Sequence, residues 1–360
     1  MRGTAVMLSA RLGGTDGVSI EAAKWEGALA RLGFDLRRVA GEFPDDGRDD
    51  DVALPWLAIE PPRGLSPVPA QLAAAVGGAA LVVVENLCSL PLNLPASCAA
   101  VEVLADHHGR VAFHHHDLPW QRERLAHITD FPPRRPGSLH VAINDRSRDE
   151  LAERGIEAVT IRNAFDLDSP AGNRDSTRKD RRIGADDLVV LQPTRAIARK
   201  DVPAGIRLAE GLRDRMPGRR VRYWLTGLAE EGYGPTLERV LAAATVPVTR
   251  GRVARAADAY AAADAVVLPS TWEGFGNPVI ESMAARRPLA VRRYAVLEEI
   301  ARLGFQWFPA DDPGPLADWL QAPDPALLDA NLALARRHFS LADLPARIED
   351  AFAAVGWTSW

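Results

Sequence analysis

The amino-acid sequence predicts an α/β fold of two doubly wound parallel sheets in tandem. The chain has 360 residues, which is more than one hydrophobic core usually organises, so two domains are expected. Short apolar runs alternate with longer amphipathic stretches, a pattern typical of βα units around a parallel sheet. The alternation occurs twice, with a polar segment at residues 167–187 between the two series. Two such domains facing each other would form a cleft at the carboxyl ends of their strands, where these sheets bind ligands.

The first series of strands begins near the amino terminus. Its members are continuous runs of Val, Leu, Ile and Ala, as expected for parallel strands covered on both faces. They are residues 4–10, 34–40, 79–84, 110–116, 139–143 and 158–161. Between the first two lies VSIEAAKWEGALARLG at 18–33, with apolar residues at helical spacing. Gly33 at its end is a favoured helix C-cap, so this stretch is predicted to be the first helix.

The polar segment LDSPAGNRDSTRKDRRIGADD at 167–187 contains Pro and Gly and is predicted to be an interdomain linker. The second series of predicted strands follows it, at residues 188–192, 222–227, 246–249, 265–269, 289–291 and 305–308, with helices that include 204–214 and 277–286. A last helix at 341–355 is expected to return to the first domain. The predicted division is therefore two Rossmann-like domains, 1–170 with 341–360 and 171–340.

Composition excludes several classes of protein. Hydrophobic residues make up 47% of the chain and charged residues 25%, which are globular values rather than those of a disordered or fibrous chain. No apolar run approaches the roughly 20 residues of a membrane span, and the first apolar stretch is too short for a secretory signal. Two cysteines cannot form a disulfide framework, and a net charge of −5 argues against nucleic acid as the main partner. We therefore expect a cytoplasmic protein without integral membrane contact.

The segment richest in candidate chemistry is VVLPSTWEGFGNPVIESMA at 266–284. A buried strand is followed by a glycine loop, after which Asn277 is predicted to cap a helix with Pro278 in its first turn. Free backbone amides of such a loop and helix start suit anionic or polar groups. Glu273 precedes the helix and Glu281 lies on its second turn, so both are expected to address one cleft.

This segment resembles the donor-site signature of glycosyltransferase family 4, a Glu-x7-Glu motif with Gly-Phe-Gly-x-Pro inside it. Four further segments are similar to family elements and, in order, extend over nearly the whole chain: GGTDGVSIEAAKW at 13–25, TIRNAFD at 160–166, LQPTRAIARKDV at 191–202 and RRHFSLADLPARI at 336–348. The resemblance implies the GT-B fold. It also implies a retaining glycosyltransferase that takes a nucleoside-diphosphate sugar as co-substrate and needs no cofactor and no metal.

The resemblance also implies roles at the donor site. Arg195 and Lys200 match the family's Arg-x4-Lys, and two cations there would stabilise a departing diphosphate. Lysine occurs only at positions 24, 179 and 200, so Lys200 in this arginine-rich chain fits a steric need for an ammonium group. Glu281 would hold the ribose hydroxyls, and Glu273 would position the transferred sugar rather than attack it. The remaining predicted donor-binding residues are Gly227, Gly274, Phe275, Gly276 and Asn277.

Five of the eight histidines lie in DHHGRVAFHHHDLPW at 106–120. On a strand, His114 and His116 share one face and His115 points to the other. The family carries a histidine at the end of this strand that reaches the donor sugar, which implies His116 as a catalytic residue with His114 beside it. An alternative interpretation is a metal site formed by the triplet with Asp106, His107 and Asp117.

Polar residues at the carboxyl ends of the first domain's strands are predicted to line the acceptor side: Gly14, Asp16, Gly17, Ser19, Glu85, Asn86, His114, Asp117, Trp120 and Asn163. The two glycines would allow close approach of a ligand, and Asp16 and Ser19 would orient an acceptor hydroxyl. A tight turn without a ligand is the alternative for this loop. Up to residue 166 the chain has 17 basic and 23 acidic side chains, which does not favour peripheral binding to an anionic bilayer. A small soluble acceptor is therefore preferred.

The sequence departs from the family pattern at three places. Asp201 follows Lys200 where the family commonly has Gly, Arg162 replaces the interdomain Pro, and ARRPLAVRRYAVLEE at 285–299 lacks the family's Gly-Gly. Donor identity is therefore not predicted, nor are the acceptor and the oligomeric state. The alternatives are another GT-B chemistry, a nucleotide-sugar epimerase or a phosphorylase with pyridoxal phosphate; a non-catalytic nucleotide- or sugar-binding module; and a histidine-cluster metalloenzyme.

Overall fold

The computed structural model describes residues 1–44 and 46–360 and divides into two compact units. The first unit comprises Met1–Ala164 with Leu341–Trp360, and the second is Phe165–Ser340. The boundary therefore lies six residues before the one predicted. Each unit contains one parallel sheet with helices, as the alternating pattern predicts.

The first unit contains a seven-stranded sheet in the order β3-β2-β1-β4-β5-β6-β7. Its strands are β1 (Thr4–Arg11), β2 (Asp35–Glu42), β3 (Val52–Ala53), β4 (Leu81–Glu85), β5 (Arg110–His115), β6 (Leu139–Ala142) and β7 (Val159–Thr160). All pairings are parallel. The strand order reverses direction between β1 and β4, and such a switch point is where doubly wound sheets bind ligands.

Helices cover both faces of this sheet: α1 (Gly17–Arg31), α2 (Pro69–Val76), α3 (Leu94–Ala105), α4 (Asp145–Ala152) and, later in the chain, α13 (Leu344–Ala354). Alternate residues of β1 enter two separate cores. Ala5 and Met7 pack with Trp25 of α1 and with α13, while Val6 and Leu8 pack on the opposite face. Burial on both faces explains why this strand reads as a continuous apolar run.

The second unit contains a six-stranded sheet in the order β10-β9-β8-β11-β12-β13. Its strands are β8 (Leu188–Gln192), β9 (Val221–Leu225), β10 (Val248–Arg250), β11 (Ala265–Leu268), β12 (Leu289–Val291) and β13 (Phe308–Pro309). Its helices are α5 (Arg174–Asp180), α6 (Val202–Arg215), α7 (Gly234–Ala242), α8 (Ala256–Ala262), α9 (Asn277–Ala284), α10 (Ala295–Ala301), α11 (Pro313–Gln321) and α12 (Pro325–Phe339). The switch point here lies between β8 and β11.

Every predicted strand overlaps an observed one, and the predicted linker at 167–187 lies in the second unit and contains a helix. It contains α5, whose Arg174 and Arg178 both pair with Asp264 before β11, at 2.6 and 2.7 Å. These arginines anchor the segment to the second unit, so its polarity reflects ion pairing rather than a flexible connection. The short strand β3 was not predicted.

Within the residues that the structure describes, no helix combines the length and the apolar character that crossing a bilayer requires.

Candidate active site

At the switch point of the second sheet, buried hydrogen bonds fix the backbone around Lys200. Gln192 ends β8 and is fully buried. Its amide nitrogen donates to the Lys200 carbonyl at 2.9 Å, while its oxygen accepts from the Tyr223 hydroxyl at 2.7 Å. Lys200 closes a short 3₁₀ turn and is only 8% exposed. The backbone of Lys200 is therefore held by the end of β8, whose Gln192 is in turn held by Tyr223 of β9.

Glu273 accepts from two cations in this pocket. The Lys200 ammonium donates to Oε1, and the Arg199 guanidinium donates to Oε2 at 3.0 Å. Burial alone would raise the pKa of Glu273, but the charges of Lys200 and Arg199 outweigh it and lower that pKa. Burial lowers the pKa of Lys200; attraction to Glu273 opposes this, and the charges of Arg199 and Arg195 add to the lowering. Glu273 is thus a charged, immobilised carboxylate.

The sequence predicts Arg195 as a cation of the donor site but does not predict Arg199. Arg195 pairs with Glu230 at 2.7 Å, and its side chain is about a third exposed. Arg199 also donates to the Trp272 carbonyl at 2.9 Å, which ties it to the loop that carries Glu273. Nothing in the spacing of Arg195 and Lys200 indicates this contact, because it depends on the turn that ends at Lys200.

The glycine loop after β11 leads directly into α9. Gly276 is the N-cap, with a left-handed φ of 94°, and Asn277 is the first helical residue. The predicted capping role of Asn277 is therefore wrong, because the sharp turn requires the glycine before it. A Cβ on Gly276 would also lie 2.1 Å from the Tyr294 hydroxyl, which donates to the Phe275 carbonyl at 3.0 Å. Tyr294 thereby fixes the loop of Gly274, Phe275 and Gly276.

Glu281 lies on α9, and Gly227 lies in the loop after β9. Glu281 on α9 accepts from the Tyr260 hydroxyl of α8. Burial and the Glu281 charge raise the pKa of Tyr260 well above its ordinary value, so it stays a donor. Tyr260 was missed because nothing links α8 to α9 in the sequence pattern. At Gly227 a Cβ would lie 2.2 Å from the Thr194 carbonyl, so backbone packing explains that glycine.

In the first unit, Glu85 ends β4 at the switch point and is fully buried. Its Oε2 lies 2.9 Å from Nδ1 of His114 and 2.8 Å from Nε2 of His116. His115 lies on the other face, 2.6 Å from the Ser89 hydroxyl and 2.9 Å from His140. The predicted alternation of the three histidines is confirmed.

The metal site that joined Asp106 and His107 to the triplet is wrong. These residues precede β5, while the triplet lies at its carboxyl end. Six residues of strand separate the two groups by about 20 Å, far beyond coordination distance. Asp106 and His107 instead line a cavity of 470 Å³ at the opposite end of the strand.

The predicted acceptor loop between β1 and α1 is held together by its own side chains. Asp16 is the N-cap of α1 and accepts from the amides of Val18 and Ser19 at 3.1 Å and from the Ser19 hydroxyl at 2.8 Å. These contacts are those of the tight-turn alternative, and an acceptor contact at Asp16 and Ser19 stays a prediction. The glycine in the left-handed region is Gly13, φ 70°, rather than Gly14 or Gly17.

The remaining predicted residues of the first unit have identifiable tasks. Asn86 has a left-handed φ of 58°, and its side-chain oxygen accepts from the amides of His116 and Asp117. Trp120 donates to Glu150 at 2.8 Å, and Arg154 covers one face of its indole at 3.8 Å from the ring centroid. That face is therefore closed to a sugar. Asn163 is buried near the end of the unit.

The chain is similar to several known proteins. A family model described as Glycosyl transferases group 1 matches residues 195–322. The chain is 26% identical to mannosylglucosylglycerate synthase of Petrotoga mobilis, over 82% of this chain and 84% of that protein. It is also 26% identical to the synthase of the same name from Thermotoga maritima, over 82% of each.

Among solved structures, Anabaena Alr3699/HepE in complex with UDP and glucose is similar with a TM-score of 0.74. The identity is 16%, and the similarity covers 98% of this chain and 100% of that one. The predicted fold class is thereby confirmed, and the family model and the two synthases agree with the predicted family resemblance.

Proposed function

We propose that this chain, a glycosyltransferase of the group 1 type with the GT-B fold, is a retaining, metal-independent hexosyltransferase. In this proposal the second unit binds the nucleoside-diphosphate sugar, and the first unit binds a small hydroxyl acceptor. The observation that carries the proposal is the buried Glu273 held between Lys200 and Arg199 at the switch point of the second sheet.

This arrangement suits the departure of a diphosphate. Lys200 and Arg195 supply positive charge at the end of β8, and the loop before α9 supplies backbone amides. Fixed cations and dipoles of this kind stabilise a leaving diphosphate, which is the task that a divalent metal would otherwise perform. We therefore propose that the donor requires neither a metal nor a cofactor.

Glu273 is proposed to position the sugar rather than to attack it. Each of its oxygens already accepts from a cation, which lowers its nucleophilicity and fixes its orientation. Retention would then follow from attack by the acceptor on the face from which the diphosphate leaves, with a phosphate oxygen accepting the proton. Glu281, oriented by Tyr260, is proposed to bind the ribose hydroxyls.

The relatives suggest which substrates to test. The two synthases are named for a product that contains mannose, glucose and glycerate, and Alr3699/HepE is described with UDP and glucose. We propose a hexosyl donor and a small glycoside acceptor of this kind. A cytoplasmic location is also proposed, because both cysteines are free thiols, as is usual in reducing compartments.

The first experiment is calorimetric titration with UDP, GDP, ADP and their glucose and mannose conjugates, with EDTA present. We expect saturable binding of one nucleotide family, lost in Lys200→Ala and Glu281→Ala but kept in the control Lys179→Ala, whose side chain is exposed. Turnover with the matched sugar and a glycosylglycerate acceptor would then be followed by proton NMR of the new anomeric centre. Folded protein that binds none of these nucleotides, activity abolished by EDTA, or an inverted product would each contradict a stated part of the proposal.

A further inference from the structure

In the first unit, the buried carboxylate of Glu85 contacts the imidazole rings of both His114 and His116. Glu85 ends β4, and His114 and His116 lie on the same face of the neighbouring strand end. Both rings direct a nitrogen at Oε2, and the exposed fractions of the three residues are 0%, 1% and 6%. An ionised carboxylate this deeply buried needs a compensating positive charge.

The two imidazoles are not equivalent as carriers of that charge. Nδ1 of His114 faces Glu85, and its Nε2 is buried without a hydrogen-bond partner among the described residues. A proton on that Nε2 would bury an unsatisfied charged donor, so His114 is neutral. Its ring lies against Trp25 of α1, with centroids 4.4 Å apart.

His116 has the surroundings of a cation. Glu85 on β4 accepts from its Nε2, and the charges of Glu21 on α1 and of Asp117 also favour its protonated form. Basic groups also lie nearby: His114 on β5, Lys24 on α1, whose ammonium is bonded to Glu21, and Arg122, which pairs with Asp117 at 3.1 Å.

The titration tendencies agree with this assignment. Burial alone would raise the pKa of Glu85, but the hydrogen bonds from His114 and His116 and the charge of His116 lower it to about 2. Burial would lower the pKa of His116, yet the bond and charge of Glu85 raise it above its ordinary value. Burial lowers the pKa of His114, although Glu85 opposes this.

The backbone of His116 is fixed as firmly as its ring. Asn86 follows Glu85 in the left-handed conformation, and its side-chain oxygen accepts from the amides of His116 and Asp117 at 3.1 and 3.2 Å. The backbone and Nε2 are therefore both held by the Glu85–Asn86 turn. Nδ1 is the ring nitrogen that this turn leaves for a ligand.

We infer that Glu85 is a positioning residue that holds His116 as an imidazolium, so that the Nδ1–H at the end of β5 donates to a substrate oxygen while His114 stays neutral. The contact with substrate rests on the proposed function, whereas the charge and orientation of His116 do not. Glu85 thus acts through His116.

The direct test is a histidine-selective NMR titration of the full chain, with resonances assigned from His116→Gln and His114→Gln variants. In the wild type we expect the His116 midpoint to lie above the ordinary value of about 6.5 and His114 to stay neutral. In Glu85→Gln, which keeps the shape but loses the charge, the His116 midpoint should fall below 6.5 because burial then dominates. The control Glu60→Gln changes an exposed glutamate of the same unit and should leave both midpoints unchanged.

Several outcomes would overturn the inference, and they do not depend on the substrate. A wild-type His116 midpoint below 6.5 does so even if Glu85→Gln fails to fold. Equal midpoints in wild type and a folded Glu85→Gln also do so. Glu85, His114 and His116 offer ligand atoms within 4.8 Å of one another. If protein purified without chelator contains one divalent ion per chain at this cluster, a metal rather than a proton on His116 balances the charge of Glu85.

Once a substrate pair is known, activity gives a second readout. The kcat of Glu85→Gln should fall about tenfold or more at pH 8, since each unit of pKa changes the protonated-to-neutral ratio tenfold. It should recover towards the wild-type value at pH 5.5, where His116 is protonated in more of the molecules, with the KM for the donor little changed. A loss of activity that is the same at both pH values would mean a purely structural role for Glu85.

Discussion

Each unit has a buried glutamate at or beyond the carboxyl end of a strand at its switch point, but the two glutamates pair with different bases. Glu273 lies between Lys200 and Arg199 in the second unit, and Glu85 lies between His114 and His116 in the first. Lysine and arginine remain charged throughout the physiological range, whereas an imidazole titrates within it. The base that pairs with a buried glutamate at a switch point can therefore carry a permanent charge in one unit and a pH-dependent charge in the other.

The difference suits the two halves of the proposed reaction. A diphosphate is anionic at every working pH, so the groups that bind it gain from charges that do not titrate. A group that donates to a substrate oxygen works best with a pKa near the operating pH, and we propose this role for His116.

Removing the permanent charge is expected to have the largest effect. Lys200→Met leaves Glu273 buried with Arg199 as its remaining partner, so the free energy of unfolding should fall by about 2 to 3 kcal/mol. Donor nucleotide binding should be lost as well. Urea denaturation measures the first quantity, with Lys179→Met as the exposed control, expected within about 0.5 kcal/mol of wild type. Equal effects of the two variants would mean that the buried ion pair contributes nothing to stability.

The pH dependence of the two glutamate variants sharpens the comparison. The stability from the Glu85–His116 pair is fully present below the unfolded histidine pKa of about 6.5 and is lost as pH rises through the raised pKa of folded His116. The destabilisation by Glu85→Gln should therefore shrink by on the order of 1 kcal/mol between pH 6 and 8. That of Glu273→Gln should stay constant, because its cations do not titrate there. Urea denaturation of both variants and the wild type at pH 6 and pH 8 tests this. If the destabilisation changes with pH equally in both variants, the two glutamates do not differ in the way proposed.

The smallest effects are expected at the α-helix that follows the first strand of each sheet, α1 after β1 and α6 after β8, because an aspartate is the N-cap of both helices. Asp16→Ala removes the acceptor for two amides of α1 and should cost about 1 kcal/mol. Asp201→Gly also loses a cap and an ion pair with Arg292. However, Asp201 has a left-handed φ of 44°, which glycine adopts without strain, so its net cost should be a few tenths of a kcal/mol. Thermal unfolding measures the loss of stability in both variants. A larger loss in Asp201→Gly than in Asp16→Ala would contradict this account.

The same conformation explains one departure from the family pattern. Glycine is common after the lysine because the backbone there is left-handed, and Asp201 accepts that strain while its carboxylate caps α6. A second departure is the stretch 285–299, where Tyr294 donates to the Phe275 carbonyl. Asp201 and Tyr294 therefore each hold a loop or helix start of the proposed donor site in place.

Local patterns predicted most of the fold and part of the candidate site. Apolar runs located the strands, because parallel strands in such a sheet are buried on both faces. Period-two alternation separated His114 and His116 from His115. The pattern failed at α5, where Arg174 and Arg178 are polar because they anchor to Asp264 rather than because they face solvent.

The sequence by itself determined the two series of βα units and the glycine loop before α9. It also determined the presence of Lys200, Glu273 and Glu281. These features depend on neighbours within a few residues. Tertiary structure alone decided which charges meet. Arg199 rather than Arg195 bonds to Glu273, Tyr260 orients Glu281, and Glu85 binds both histidines. The physical reason is that these contacts join ends of different strands and helices, brought together by sheet order. Their energies depend on burial that no local pattern encodes.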